Sequence, residues 1–160
     1  MINGQVMTQK TKPNYNGEYT LLGDIIEDSV DKEFYIDKDQ YVKWEYLKGS
    51  KSFDRVSKDG FKYKYSEGSM GYPDSLQKAS RTIITGEGGK APSRFKHVIE
   101  TPNGLRRLSP LELERLNMFP DNHTKLEGIS DTKRAFFMGN ALVVGVIDKI
   151  GKELYGEISL

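Results

Sequence analysis

The stretch Arg107–Asn122, RLSPLELERLNMFPDN, carries more helix-boundary signals than any other part of the chain. Ser109 has a hydroxyl that can accept from the first free N–H groups of a helix. Glu112, three residues on, stands where a carboxylate reaches back to the cap N–H. Pro110 fits the first helical position, where its missing donor is not needed. Leu108 and Leu113 flank the cap at the spacing of a hydrophobic staple, which fixes the angle at which the chain approaches the helix. Phe119-Pro120 imposes extended backbone and closes the segment. A short helix specified this fully at both ends predicts a clamp, with a basic segment on one side and an apolar helix on the other.

A chain of 160 residues can bury one modest core or two small ones. With 36% hydrophobic and 29% charged residues it reads as globular rather than disordered. No apolar run reaches the length of a membrane span, and Met1–Gly17 lacks the apolar core of a signal peptide. The absence of cysteine excludes disulfides, thiolate metal sites and a cysteine nucleophile, and it fits a cytoplasmic protein. Charge is uneven beneath the net +1: Gln77–Arg107 holds seven Lys or Arg against Glu87 and Glu100, while both flanks are slightly acidic. A basic centre of this kind suits an anion-binding face or, equally, a solvated loop.

Read in order, Met1–Gly17 is polar and aperiodic, a flexible arm or linker end. Tyr19–Ile26 has the look of a short helix capped by Thr20, and Phe34-Tyr35-Ile36 of a brief strand. Asp37 is placed to cap a helix over Lys38–Lys48 that Gly49 ends, with Tyr41, Trp44 and Leu47 on a core-facing stripe. Phe61–Tyr65 alternates aromatic and lysine, which predicts a strand with its aromatics in a core and its lysines in water. Arg81–Thr85 is β-branched and strand-like, and it runs into the glycine-rich loop Gly86–Ser93. Ser130 or Asp131 caps a helix through Met138, broken at Gly139-Asn140. A second helix follows with Leu142, Val146, Ile150 and Leu154 on one wide apolar face. Such a face on a terminal helix calls for another surface to cover it.

Two candidate ligands arise for the glycine loop, since glycines let backbone approach closely while Lys90, Arg94 and Lys96 supply charge. A nucleotide P-loop fails on spacing: Ile84 stands where its first glycine belongs, and Ala91 replaces Ser or Thr. DNA backbone and groove edges remain, as does a plain glycine hairpin. His97 and His123 are single histidines without partners at a catalytic or metal-ligand spacing, and neither is assigned a role.

Three segments together resemble the DNA cytosine-5 methyltransferases. Arg107 with Pro110-Leu111-Glu112, Arg115-Leu116 and Phe119-Pro120 is similar to the ninth conserved motif of that family. Phe137–Leu142 followed by Ile150-Gly151 is similar to the tenth. Arg81-Thr82-Ile83 resembles the Thr-Leu/Ile pair inside the target-recognition domain. The order matches over Arg81–Gly151, and residues before about Leu76 carry no assignable motif. Missing are the glycine-rich cofactor strand, the Pro-Cys loop and the Glu-Asn-Val motif.

The resemblance implies the carboxy-terminal part of such an enzyme, with no catalytic residue and no metal of its own. It implies an α+β fold: a small twisted β-rich recognition region with short helices, then helices that would pack on a Rossmann-like catalytic domain outside this chain. Residues 1–18 would be an arm or linker, 19–128 the target-recognition domain and 129–160 the returning helices. Arg81, Thr82, Gly86, Gly88, Gly89, Lys90, Ser93, Arg94 and Lys96 would approach double-stranded DNA. Asn140, Ala141 and Leu142 would edge an S-adenosylmethionine pocket, although the family usually has valine where Leu142 stands. The partner would be the catalytic half, with self-association through the last helix as a further possibility. No membrane partner is implied. An autonomous, non-catalytic DNA-binding module is the alternative. On either reading, changing Lys90, Arg94 and Lys96 together to alanine should weaken DNA binding with little loss of melting temperature.

Overall fold

The computed structural model describes residues 3–10, 12 and 16–158. The expected arm over 1–18 thus lies partly outside the described residues. Four helices and four strands follow one another as α1 (Tyr41–Lys48), β1 (Lys51–Val56), β2 (Lys62–Glu67), β3 (Val98–Thr101), β4 (Gly104–Arg107), α2 (Pro110–Leu116), α3 (Asp131–Asn140) and α4 (Val144–Ile158). The strands form two separate antiparallel hairpins, β1–β2 and β3–β4. The mixed helix and small-sheet architecture is α+β.

The clamp helix has the predicted terminal chemistry. Ser109 Oγ accepts from Glu112 N at 3.2 Å, and Glu112 returns the bond by accepting from Ser109 N at 2.8 Å. Leu108 and Leu113 are both buried. The helix stops before Pro120, because Met118 takes φ +61° and the N–H groups of Met118 and Phe119 donate back to Arg115 O and Glu114 O. That is a Schellman closure built on methionine rather than glycine.

From this helix, polar ties reach in three directions. Glu112 is fully buried and accepts a two-pronged pair from Arg106, at 2.7 and 2.8 Å, plus Glu27 N at 2.9 Å. Glu114 accepts from Arg134 at 3.0 Å and from Thr124. Asn117 donates to Met138 O at 2.8 Å, and its carbonyl accepts from Val144 N at 2.9 Å. One short helix thereby fixes the amino-terminal loop, α3 and the start of α4.

The main core gathers Leu22, Ile25, Ile83, Ile99, Leu108, Leu113, Ala135 and Met138. Ala135 and Met138 belong to α3, so this helix shares a core with segments that precede residue 128. A smaller cluster places Trp44, on α1, against Ile36 and Val98, as its helical stripe predicted.

Several local expectations are revised. Tyr19–Ile26 contains only a 3₁₀ turn over Leu22–Asp24, in which Asp24 accepts from Leu21 N at 2.7 Å and Thr20 is not the cap. Asp37 precedes a 3₁₀ turn without a side-chain cap bond. The expected strand at Phe34–Ile36 reduces to a single bridge, Tyr35 to Arg106. Arg81–Thr85 takes no strand, although Ile83 is buried as a core residue. The larger surprise is β2. The aromatics there do not build a core: Tyr63 is exposed, as are Phe61 just before the strand and Phe53 across the ribbon on β1. The alternation does form a strand, but its partner is another exposed strand rather than a packed sheet.

Candidate nucleic-acid interface and cofactor edge

The basic centre is mostly turned inward. Arg81 makes a two-pronged pair with Asp74, at 2.6 and 3.0 Å, and also donates to Phe95 O at 3.1 Å. Arg94 donates to Leu47 O at 3.3 Å, Gly49 O at 3.1 Å and Gly68 O, and lies 3.2 Å from Glu67. Lys96 is buried and donates to Gly89 O at 2.9 Å and Ala91 O at 2.8 Å. Arg107 is buried as well, donating to Gly89 O at 2.9 Å and Glu33 O. These cations tie loops to the body of the fold, each donating to at least two acceptors within the chain. Arg81, Arg94 and Lys96, expected from the sequence to approach DNA, are thus placed against the chain's own carbonyls and carboxylates.

The glycines of the loop serve packing. A Cβ on Gly88 would stand 2.9 Å from Thr132 Cα and 3.1 Å from the Ala135 Cβ of α3. Gly89 takes φ +79°, turning its carbonyl toward Lys96 and Arg107. Gly86 is exposed, Ser93 is half-buried and caps Phe95 N at 3.3 Å, and Thr82 is exposed. Of the three expected loop cations, Lys90 alone keeps its ammonium in solvent, 3.9 Å from Glu33.

Beneath this loop lies a buried polar cluster without a sequence signal. His97 is fully enclosed, its Nδ1 2.9 Å from Glu87 Oε1 and its Nε2 3.1 Å from Ser80 Oγ. Ser80 Oγ donates to the Arg81 carbonyl at 2.9 Å, so its hydroxyl is committed to the backbone. Lys48, also buried, donates to Lys96 O, and burial pulls its pKa down to about 8. Burial alone would raise the Asp74 carboxyl. Hydrogen bonds from Arg81 and from Val98 N outweigh it and hold Asp74 below the ordinary carboxylate range. The cluster pins Ser80–His97 to α1 and β3.

On the other side of the clamp, a groove of about 490 Å³ opens between the amino-terminal loop, Ser80–Ile83, the end of α2 and the α3–α4 junction. Thr82, Asn117, Met118, Ala141 and Leu142 line it. All three resemblance segments therefore meet at one cavity. Asn140 lies outside the lining, with Nδ2 donating to Phe136 O at 2.9 Å. Gly139 is required by contact: a Cβ there would fall 2.4 Å from Ile84 O and from Thr85 N.

Beyond the groove, α4 shows its apolar residues Val146, Ile147, Ile150 and Leu154 to solvent, each about half exposed. No described helix is long and apolar enough to cross a membrane. No metal-holding group of His, Asp or Glu occurs among the described residues.

This α+β chain belongs to the C-5 cytosine-specific DNA methylase family, whose family model matches residues 3–156. Among characterised members it is similar to the type II methyltransferase M.Sau3AI of Staphylococcus aureus, 44% identical over 154 residues. That match covers 96% of this chain and 36% of the relative, so the chain spans about a third of that protein's length. The Entamoeba histolytica methyltransferase EhMeth shares its fold at a TM-score of 0.59 and 16% identity, over 96% of this chain and 46% of that one.

Proposed function

We propose that this chain is the DNA-recognition portion of a DNA (cytosine-5)-methyltransferase. It positions duplex DNA in the cytoplasm while a cysteine-bearing catalytic half, outside this chain, supplies the nucleophile. The supporting observation is the convergence of Thr82, Asn117-Met118 and Ala141-Leu142 on one groove, beside a 15-residue helix with uncovered apolar side chains. Methylation at cytosine C5 needs a thiolate added at C6 and a base flipped from the stack. The sequence has no cysteine to provide that thiolate.

Residues 19–128 form the recognition unit in this reading, 1–18 the link toward the catalytic half, and 129–160 the return. Because α3 shares the recognition unit's core, α4 is the part that reaches outward. S-adenosylmethionine, when bound, supplies the methyl group. Ala141, Leu142 and Met118 suit one apolar wall of its pocket. Among the described residues the groove lining holds no Asp or Glu to receive ribose hydroxyls, so the catalytic half must provide them. Asn140 would act from the rim.

The test mixes this chain with a cysteine-bearing amino-terminal half of a family methyltransferase and measures transfer of labelled methyl groups to duplex DNA. Transfer by the mixture and by neither part alone is the expected result. Two folded parts that neither associate nor methylate would overturn the proposal. An autonomous binding module would instead bind DNA equally well with or without the second half and support no methyl transfer.

A further inference from the structure

The hairpin β1–β2 is the most exposed regular element of the recognition region, and it carries charge the body of the fold does not use. Its register pairs Phe53 with Tyr65, Asp54 with Lys64, Arg55 with Tyr63 and Val56 with Lys62. Both of its faces are largely in water. An isolated two-stranded ribbon is marginal, and here it is anchored only at its base. Arg94 reaches Gly49, Gly68 and Glu67, and Lys51 lies 3.7 Å from Glu67. The distal turn is well specified: Ser57 N donates to Phe61 O at 2.8 Å, Phe61 N to Ser57 Oγ at 3.1 Å, and Gly60 takes φ +81°.

Over Lys51–Glu67 the ribbon holds five Lys or Arg against three Asp or Glu. Lys58, Lys62 and Lys64 are exposed and make no ion pair among the described residues. Arg55 lies over two rings, 4.1 Å from the Tyr65 centroid and 4.8 Å from that of Phe53. Stacking holds its guanidinium, yet among the described residues none of its N–H donors is engaged. Six-residue strands extend about 20 Å, and a two-stranded ribbon fits the major groove of B-DNA, about 12 Å wide.

We infer that this hairpin, and not the glycine loop, is the element that enters the DNA groove, with Lys58, Lys62 and Lys64 on phosphates and Arg55 placed to read a guanine edge. The inference rests on the DNA-recognition proposal above and deepens it. Unsatisfied, positioned cations are what a polyanion can use, and in the glycine loop Arg94 and Lys96 are already consumed by the chain's own carbonyls.

The test uses the complete 160-residue chain and a pool of randomised duplexes, with binding measured across a salt series. K62A/K64A should weaken binding to every duplex and lower the slope of log K against log salt by about 1.8. R55A should relax preference at one base position, whereas K90A should change little. Unchanged melting temperatures are expected, since these side chains are in water. Binding by the native chain that K62A/K64A and R55A leave untouched would overturn the hairpin assignment while sparing the DNA-recognition proposal. Failure of the native chain to bind any duplex at low salt would overturn both.

Discussion

Gly139→Ala probes the closest backbone approach in the fold. The added Cβ would lie 2.4 Å from Ile84 O and 2.4 Å from Thr85 N. Both are backbone atoms in a segment whose Ile83 side chain is buried in the core, so no flexible side-chain end can swing away. Restoring ordinary contact requires about 1 Å of separation between α3 and the Ile84-Thr85 segment, and cores resist such overpacking at about 1–3 kcal/mol or more. Because Met138 and Ala135 move with α3, the upper part of that range applies. Alanine recovers up to about 1 kcal/mol of helix propensity, leaving a net loss of about 2–3 kcal/mol. For a chain of this size that lowers the melting temperature by roughly 4–12 °C. Gly151→Ala is the internal control. It is also helical, nothing lies within 4 Å of its Cβ, and it should leave the melting temperature unchanged or slightly raised. Urea melts of both variants, followed by circular dichroism, compare the two. Equal stability of G139A and G151A would refute the close-approach reasoning.

Glu112→Ala should destabilise the chain by about 3–5 kcal/mol in the same melts, because it strands the buried Arg106 charge and unties Glu27 N and Ser109 N. K90A should leave stability intact, whereas R94A and K96A should each cost about 1–3 kcal/mol by orphaning partners in the loop network. Thus the triple alanine variant should melt early, contrary to what sequence alone suggested. Lys48 gives a pH signature. Below about pH 8 it is protonated in both folded and unfolded chains, and its burial cost is fully present. Between about 8 and 10.5 the unfolded chain binds more protons, so stability rises with pH, by about 3 kcal/mol in total. Denaturation midpoints compared with K48M, which should lack this rise, check it.

What could be read from residue order divides along a physical line. The clamp helix was legible because capping box, staple and terminal Pro act within a few residues. The helical face of Trp44 and the Ser130 cap were legible for the same reason. The function of the charges was not. Arg81, Arg94 and Lys96 look alike in sequence whether they face water or a carbonyl, and Arg94 finds three of its acceptors between 26 and 47 residues away. The β1–β2 ribbon was half visible. Asp59-Gly60 is a hairpin signal, but aromatic alternation indicates a pleat without saying whether anything covers it. Gly88 and Gly139 suggested ligand contact and a helix break, respectively. Their actual role, close approach to Thr132 and Ile84, arises from segments that meet only in three dimensions.

On the proposed function, the exposed side of α4 packs against a thiol-bearing half of the enzyme. Sedimentation of this chain with such a half, repeated with I147D/I150D/L154D, tests it most directly, since those side chains are in water and their change should spare the fold. A one-to-one complex lost in the triple variant is the predicted result. A complex indifferent to the three aspartates, or no complex between two folded parts, would contradict it.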